Sequence, residues 1–154
     1  MLRVVAVRHA KPVEDPSLSD EERSLSEEGK IVQKKMAEEL KKLGIHPTEM
    51  WSSPLLRAKQ TAEIIGEVFG VDYETESSLG TAFNEHELMV RLQSCKPNST
   101  IVLVGHAPTL ADFCNEMIGD ELLADGIAKS GAAIVEFSDK VAFGLGKLLN
   151  YIHP

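Results

Sequence analysis

Four side chains suited to phosphoryl chemistry stand just beyond short apolar runs. Arg8 and His9 follow Leu2–Val7, Arg57 follows Thr48–Trp51 by way of Ser53-Pro54, and His106 follows Thr100–Val104 by way of Gly105. Arginine is permanently charged and presents a planar fork of N–H donors that matches phosphate oxygens. Histidine titrates near neutrality, so a neutral imidazole can attack phosphorus while its other nitrogen stays hydrogen-bonded. Cationic neighbours lower an imidazole's pKa and keep the attacking ring neutral. A second histidine, when protonated, can join the arginines in stabilising charge on the transferring group. Such a set requires no metal and no cofactor.

These residues are far apart in sequence, so the elements that carry them must bring them together. Short β-branched runs alternate with longer helical patterns, which predicts a three-layer α/β sandwich with a mostly parallel central sheet flanked by helices. Leu2–Val7 and Thr100–Val104 read as buried strands and Thr48–Trp51 as a shorter one. Val71–Thr75, Ala132–Phe137 and a segment within Val141–Ile152 are further strand candidates. Ser26 can cap a helix that runs to about Leu43, with Val32, Met36, Leu40 and Leu43 on its apolar face. Ser53-Pro54 and Pro108 open two more helices, Gly70 and Gly119 close them, and another helix lies near Glu85–Ser94. If the first three strands are parallel, their exits share the carboxyl edge of the sheet, where open α/β sheets bind ligands. Helix N-termini after Pro54 and Pro108 would add to a phosphate pocket there. The stretch Ala10–Leu25 is long for a connecting loop and is acidic, with Glu14, Asp15, Asp20, Glu21 and Glu22 against Lys11 and Arg23.

The 154 residues suggest one domain, 1–154, and the 43% hydrophobic content suits a packed core. Sixteen basic and 24 acidic side chains leave a formal charge of −8, which argues against general binding to nucleic acid or anionic membranes. No apolar run reaches the roughly 18–20 residues of a membrane span. Arg8 cuts the opening run short of the roughly 7–15-residue core of a secretory signal. Cys95 and Cys114 form no CxxC pair and read as structural. A cytoplasmic location is the expectation. His46 and His153 lack the context of His9 and His106 and read as exposed, while His86, in a loop-to-helix region, could lie near the site although a surface role is the plainer reading.

Three blocks carry a family resemblance, in order along the chain. They are Val5-Ala6-Val7-Arg8-His9-Ala10, Ser52-Ser53-Pro54-Leu55-Leu56-Arg57-Ala58-Lys59-Gln60-Thr61-Ala62, and Val102-Leu103-Val104-Gly105-His106-Ala107-Pro108. Together they resemble the histidine phosphatase superfamily, the phosphoglycerate mutase-like group, with Ala10 in place of the glycine of its RHG signature. The short chain and the run Asp20–Gly29 look most like SixA-type phosphohistidine phosphatases. The resemblance implies a metal-independent phosphatase that passes through a phosphohistidine on His9. In it Arg8, Arg57 and His106 bind the phosphoryl group, and Arg23 matches an arginine that lies near the substrate. It also implies a phosphorylated substrate, such as a phosphohistidine-containing protein. Many relatives place a glutamate acid after the third strand. Here Ser77–Glu87 has no carboxylate at the usual spot, and Glu85 is the nearest candidate proton donor.

Other readings of the same residues stay open. One is a phosphomonoesterase for small metabolites or a mutase-like enzyme of the same fold. Another is a phosphate-binding module without turnover. A third, a metal hydrolase using His9, His86 and His106, lacks an HExxH motif or a paired carboxylate cluster.

Overall fold

A computed structural model describes residues 1–154. Its strands are β1 Leu2–Arg8, β2 Glu49–Ser52, β3 Glu74–Thr75, β4 Thr100–Gly105, β5 Ala132–Phe137 and β6 Lys147–Ile152. They form one sheet in the order β3-β2-β4-β1-β5-β6. The first four in that order run parallel, while β5 is antiparallel to β1 and β6 to β5. Its helices are α1 Glu27–Lys42, α2 Leu56–Phe69, α3 Glu85–Gln93 and α4 Thr109–Ile118.

The sheet is covered on both faces, and the two-residue period of its strands divides the core. Leu2, Val4 and Ala6 point into one cluster, with Leu88, Leu92, Leu110 and Phe113 of α3 and α4. Val5 and Val7 point the other way, onto Ala37, Leu40, Ala58, Ala62 and Ile65 of α1 and α2. Central strands that are buried on both faces must be apolar throughout, which is why β1 and β4 read as unbroken runs. The expected three-layer architecture is present.

The differences from expectation lie at element edges. Leu43 is exposed, and the buried stripe of α1 runs Gly29, Gln33, Met36, Ala37, Leu40. Leu43 is the C-cap, where the chain has already left the helical path. The third strand shrinks from Val71–Thr75 to Glu74–Thr75, because it pairs with only the last two residues of β2. Ser53 does not cap α2 in the expected register: Leu55 is the N-cap, and Ser53 Oγ accepts the Leu55 N–H at 3.2 Å. Gly70 and Gly119 do end their helices, at φ values of 70° and 76° that favour glycine.

The Ala10–Leu25 loop is a flap tied down at its base. Pro12 and Leu25 bridge, and the Val13 N–H donates to the Ser24 carbonyl at 2.8 Å. The backbone N–H and the hydroxyl of Ser26 both donate to the Lys11 carbonyl, each at 3.0 Å. Farther out, Asp20–Glu22 forms one 3-10 turn that buries no residue. No helix is long and apolar enough to cross a membrane.

Candidate active site

The sheet register brings the three reactive exits side by side. Arg8 of β1 lies opposite Gly105 of β4, and Ser52 of β2 lies opposite Val104. The ladder continues past the strand ends: the His9 N–H donates to the Gly105 carbonyl at 3.0 Å and the Ser53 N–H to the Val104 carbonyl at 2.9 Å. His9 and His106, 97 positions apart, therefore meet with ring centroids 5.1 Å apart and planes tilted by 52°.

His9 is 6% exposed, and its Nδ1 lies 2.8 Å from the Ala10 carbonyl. A carbonyl can only accept, so Nδ1 carries the proton and Nε2 keeps a free lone pair. Burial, opposed by the Ala10 hydrogen bond and aided by the charges of His106, Arg57 and Arg8, brings the ring's pKa down to about 4. His106 is also held down to about 4, by burial first and then by Arg57. The expectation of a protonated second histidine therefore needs refinement. Both rings are neutral in the resting site at neutral pH, and His106 would charge only in answer to an added anion.

Three supports fix this arrangement. His106 Nε2 meets Ser53 Oγ at 2.7 Å. The Ala10 N–H donates to Thr61 Oγ1 at 3.0 Å, and the Thr61 hydroxyl donates to the Arg57 carbonyl at 2.8 Å, which joins the exit of β1 to the first turns of α2. Arg8 Nη1 donates to the Ile127 carbonyl at 3.1 Å. Two buried nitrogens of the cluster, Arg8 Nε and His106 Nδ1, have no partner within the protein. Buried polar nitrogens of this kind are costly unless something pairs with them.

The Arg57 side chain is only 11% exposed and faces the flap. Its Nη1 donates to the Asp20 carbonyl at 2.6 Å and its Nη2 to the Asp20 carboxylate at 3.1 Å. Arg23 approaches the same carboxylate at 3.7 Å, and its Nε donates to the Val13 carbonyl at 3.1 Å. Arg23 is thus linked to the cluster through Asp20. Glu85 is not brought to it: this exposed residue at the start of α3 meets Glu116 of α4 instead. The Glu116 carboxyl is raised to about 7 by that contact. The carboxylate that directly follows β3, Glu76, is taken up by Ser78 and Arg91, whose hydrogen bonds hold its pKa below the usual range although burial opposes them.

Sequence reasoning did not find Ser53 as the partner of His106, Thr61 as the link, or Asp20 as the partner of Arg57. Ser53 has the same signal as a helix cap, and Asp20 is one acid among five in the flap. His86 is exposed on α3, and no three His, Cys, Asp or Glu side chains converge as metal ligands. Burial pushes the thiols of Cys95 and Cys114 up to about 11 and about 12, which suits structural residues.

Comparison with known proteins agrees with this geometry. A protein of Picosynechococcus sp. is 33% identical over 97 residues, which cover 61% of this chain and 59% of that relative's length. The SixA protein of Agrobacterium tumefaciens superposes with a TM-score of 0.83 at 26% identity, over 99% of this chain and 97% of that one. A protein histidine phosphatase SixA in complex with tungstate gives a TM-score of 0.86 at 23% identity, covering 97% and 96%. Residues 4–87, which carry Arg8, His9 and Arg57, match the model of the histidine phosphatase superfamily, branch 1, and the chain belongs to that superfamily.

Proposed function

We propose that this histidine phosphatase transfers a phosphoryl group to His9 Nε2 and then to water, and that phosphohistidine in a protein is its substrate class. The observation that carries the mechanism is the commitment of His9 Nδ1 to the Ala10 carbonyl, which leaves Nε2 unprotonated among Arg8, Arg57 and His106. Nε2 donates its lone pair to phosphorus, and the bond from phosphorus to the leaving atom breaks with its electron pair. Arg8, Arg57 and His106 receive the charge that spreads over the phosphoryl oxygens, and the two unpartnered nitrogens gain acceptors. Water then attacks the phosphohistidine, inorganic phosphate leaves, and Nε2 recovers its lone pair.

The surroundings favour a leaving group that needs no proton from the protein. Glu85 is held at Glu116, Glu76 is held by Ser78 and Arg91, and Asp20 is engaged as an acceptor by two arginines. An alkoxide would leave poorly from such a site. A histidine already protonated at its distal nitrogen leaves as neutral imidazole. The relationship to SixA of A. tumefaciens, named as a phosphohistidine phosphatase, supports the same class.

Hydrolysis of an aryl phosphate and of a phosphohistidine protein, with chelator present, tests this reading. His9→Ala should lose at least about 10³-fold in kcat on both substrates. The parent should prefer phosphohistidine protein over sugar phosphates and phosphoglycerates. Equal activity of parent and His9→Ala would overturn the mechanism. Preference for a sugar phosphate would replace the substrate class with a small-metabolite phosphomonoesterase.

A further inference from the structure

The donors of Arg57 are already in use before any substrate arrives. A carboxylate and a carbonyl of the same residue, Asp20, accept from its two terminal nitrogens, and Arg23 closes on the same carboxylate from the other side. A carboxylate held between two guanidiniums has the charge and the spacing of acceptors that a phosphoryl group offers. We propose that Asp20 is an intramolecular stand-in for the phosphoryl group, which phosphate must displace from Arg57, so that Asp20 sets phosphate affinity and the ease of product release. This rests on the site being a phosphoryl site, as proposed above.

The two partners of the pair differ in burial in the way such a device needs. Arg57 is nearly buried on the first turn of α2, and its own backbone carbonyl is fixed by Thr61. Asp20 has a side chain that is 68% exposed, on a 3-10 turn that buries no residue. The turn's internal hydrogen bonds run from Ser19 to Glu22, so it can lift as a unit about the tied base of the flap. The carboxylate half of the pair is exposed and is rehydrated when the pair opens, and a phosphate dianion carries more charge to Arg57 than a carboxylate does. Beneath the turn lies a cleft of about 530 Å³ lined by Glu14, Asp15, Pro16, Leu18, Asp20 and Arg23, which gives the carboxylate room to move.

The consequence for turnover is specific. Hydrolysis of the phosphoenzyme leaves an inorganic phosphate dianion among Arg8, Arg57 and His106. Return of Asp20 to Arg57 would compete with that product and help expel it. A tighter site would bind substrate well but clear product slowly.

Calorimetric titration of inorganic phosphate into the parent, Asp20→Asn and Arg57→Ala provides the test. Asp20→Asn keeps the shape and the backbone carbonyl while removing the competing charge. It should bind phosphate about three- to tenfold more tightly than the parent, and Arg57→Ala should show no binding. In aryl phosphate hydrolysis, the inhibition constant for phosphate should fall by the same factor in Asp20→Asn. Equal affinity of parent and Asp20→Asn would overturn the inference alone, leaving the phosphoryl site intact. Weaker binding by Asp20→Asn would also overturn it, making Asp20 a positioning residue for Arg57. Binding that survives in Arg57→Ala, or is missing in all three proteins, would remove the phosphoryl-site reading and this inference with it.

Discussion

The two imidazoles each contribute a pH dependence to the molecule, and its sign follows from the direction of their shifts. Unfolded, both rings titrate near 6.5; folded, both are held near 4, chiefly by burial. Between those values the unfolded chain takes up protons that the folded chain refuses. Stability should therefore fall as pH drops from about 6.5 towards 4, and be unaffected by these rings above 7. For the nearly buried His9, the loss between pH 7 and pH 5 is on the order of 1–2 kcal/mol. Urea unfolding at the two pH values checks this, and His9→Gln should flatten the dependence. Phosphate should moderate the loss, because an anion between the arginines restores the reason for a ring to be charged. The Glu116 carboxyl, raised to about 7, contributes in the opposite sense, so equal pH dependence in the parent and His9→Gln is the result that would show the ring is not held neutral. Ser53 belongs to the same scale. Its hydroxyl holds His106 Nε2 while the buried Nδ1 has no partner, so Ser53→Ala leaves a half-buried imidazole with no fixed nitrogen. We expect a loss of about 1–3 kcal/mol in stability and about a tenfold fall in kcat, from misplacement of the ring. Unchanged kcat with lower stability would assign Ser53 to the scaffold.

The elements explain why part of this site could be read from sequence and part could not. Arg8, His9, Arg57 and His106 were legible because each stands at a strand exit or the helix start just beyond one. The parallel pairing of β1, β2 and β4 is almost forced by alternating strands and helices. Their meeting follows from topology and needs no knowledge of side-chain contacts. The partners of these residues are different. Ser53 Oγ reaches His106 across 53 positions and Asp20 reaches Arg57 across 37, and neither distance is encoded in local periodicity. The partner of Glu85 was hidden for a related reason: proximity in sequence to the third strand does not fix direction, and α3 takes its carboxylate to Glu116. Tertiary packing also placed Gln33 inside the stripe of α1, where the hydrophobic pattern alone selects Val32 and Leu43. One close contact of that helix makes a prediction about the flap. A Cβ at Gly29 would sit 2.3 Å from the Lys11 carbonyl, the same oxygen that accepts both bonds from Ser26. Gly29→Ala must push the start of α1 away from the base of the flap. It should cost about 1–3 kcal/mol in stability and raise KM more than it lowers kcat, since the flap carries Asp20 and Arg23. Stability equal to that of the parent would mean that Lys11 yields freely.

At the scale of the whole molecule, the formal charge of −8 must be reconciled with the proposed phosphate site. The site solves the problem locally, with two guanidiniums at a sheet edge, but its approach passes the flap acids Glu14, Asp15, Asp20, Glu21 and Glu22, all exposed. A small dianionic substrate meets repulsion before it meets Arg57, whereas a phosphorylated protein with basic neighbours is drawn to the flap. The two substrate types should therefore respond to salt in opposite directions. Raising ionic strength from low to physiological shortens the screening length to about 8 Å. Across that change kcat/KM should rise for a small aryl phosphate and fall for a phosphohistidine peptide flanked by lysines, by about two- to fivefold each. Replacing Glu14 and Glu21 with glutamines, which keeps Asp20 and the Asp15 and Glu22 hydrogen bonds of its turn, should weaken both trends without altering kcat at saturation. Those two side chains hold no hydrogen bond of the flap or the site, so a change in kcat would contradict the steering argument as firmly as parallel salt responses would. If both substrates lose rate with salt in the parent, attraction by Arg8 and Arg57 outweighs the flap at every distance. The acidic surface would then serve solubility and not substrate choice.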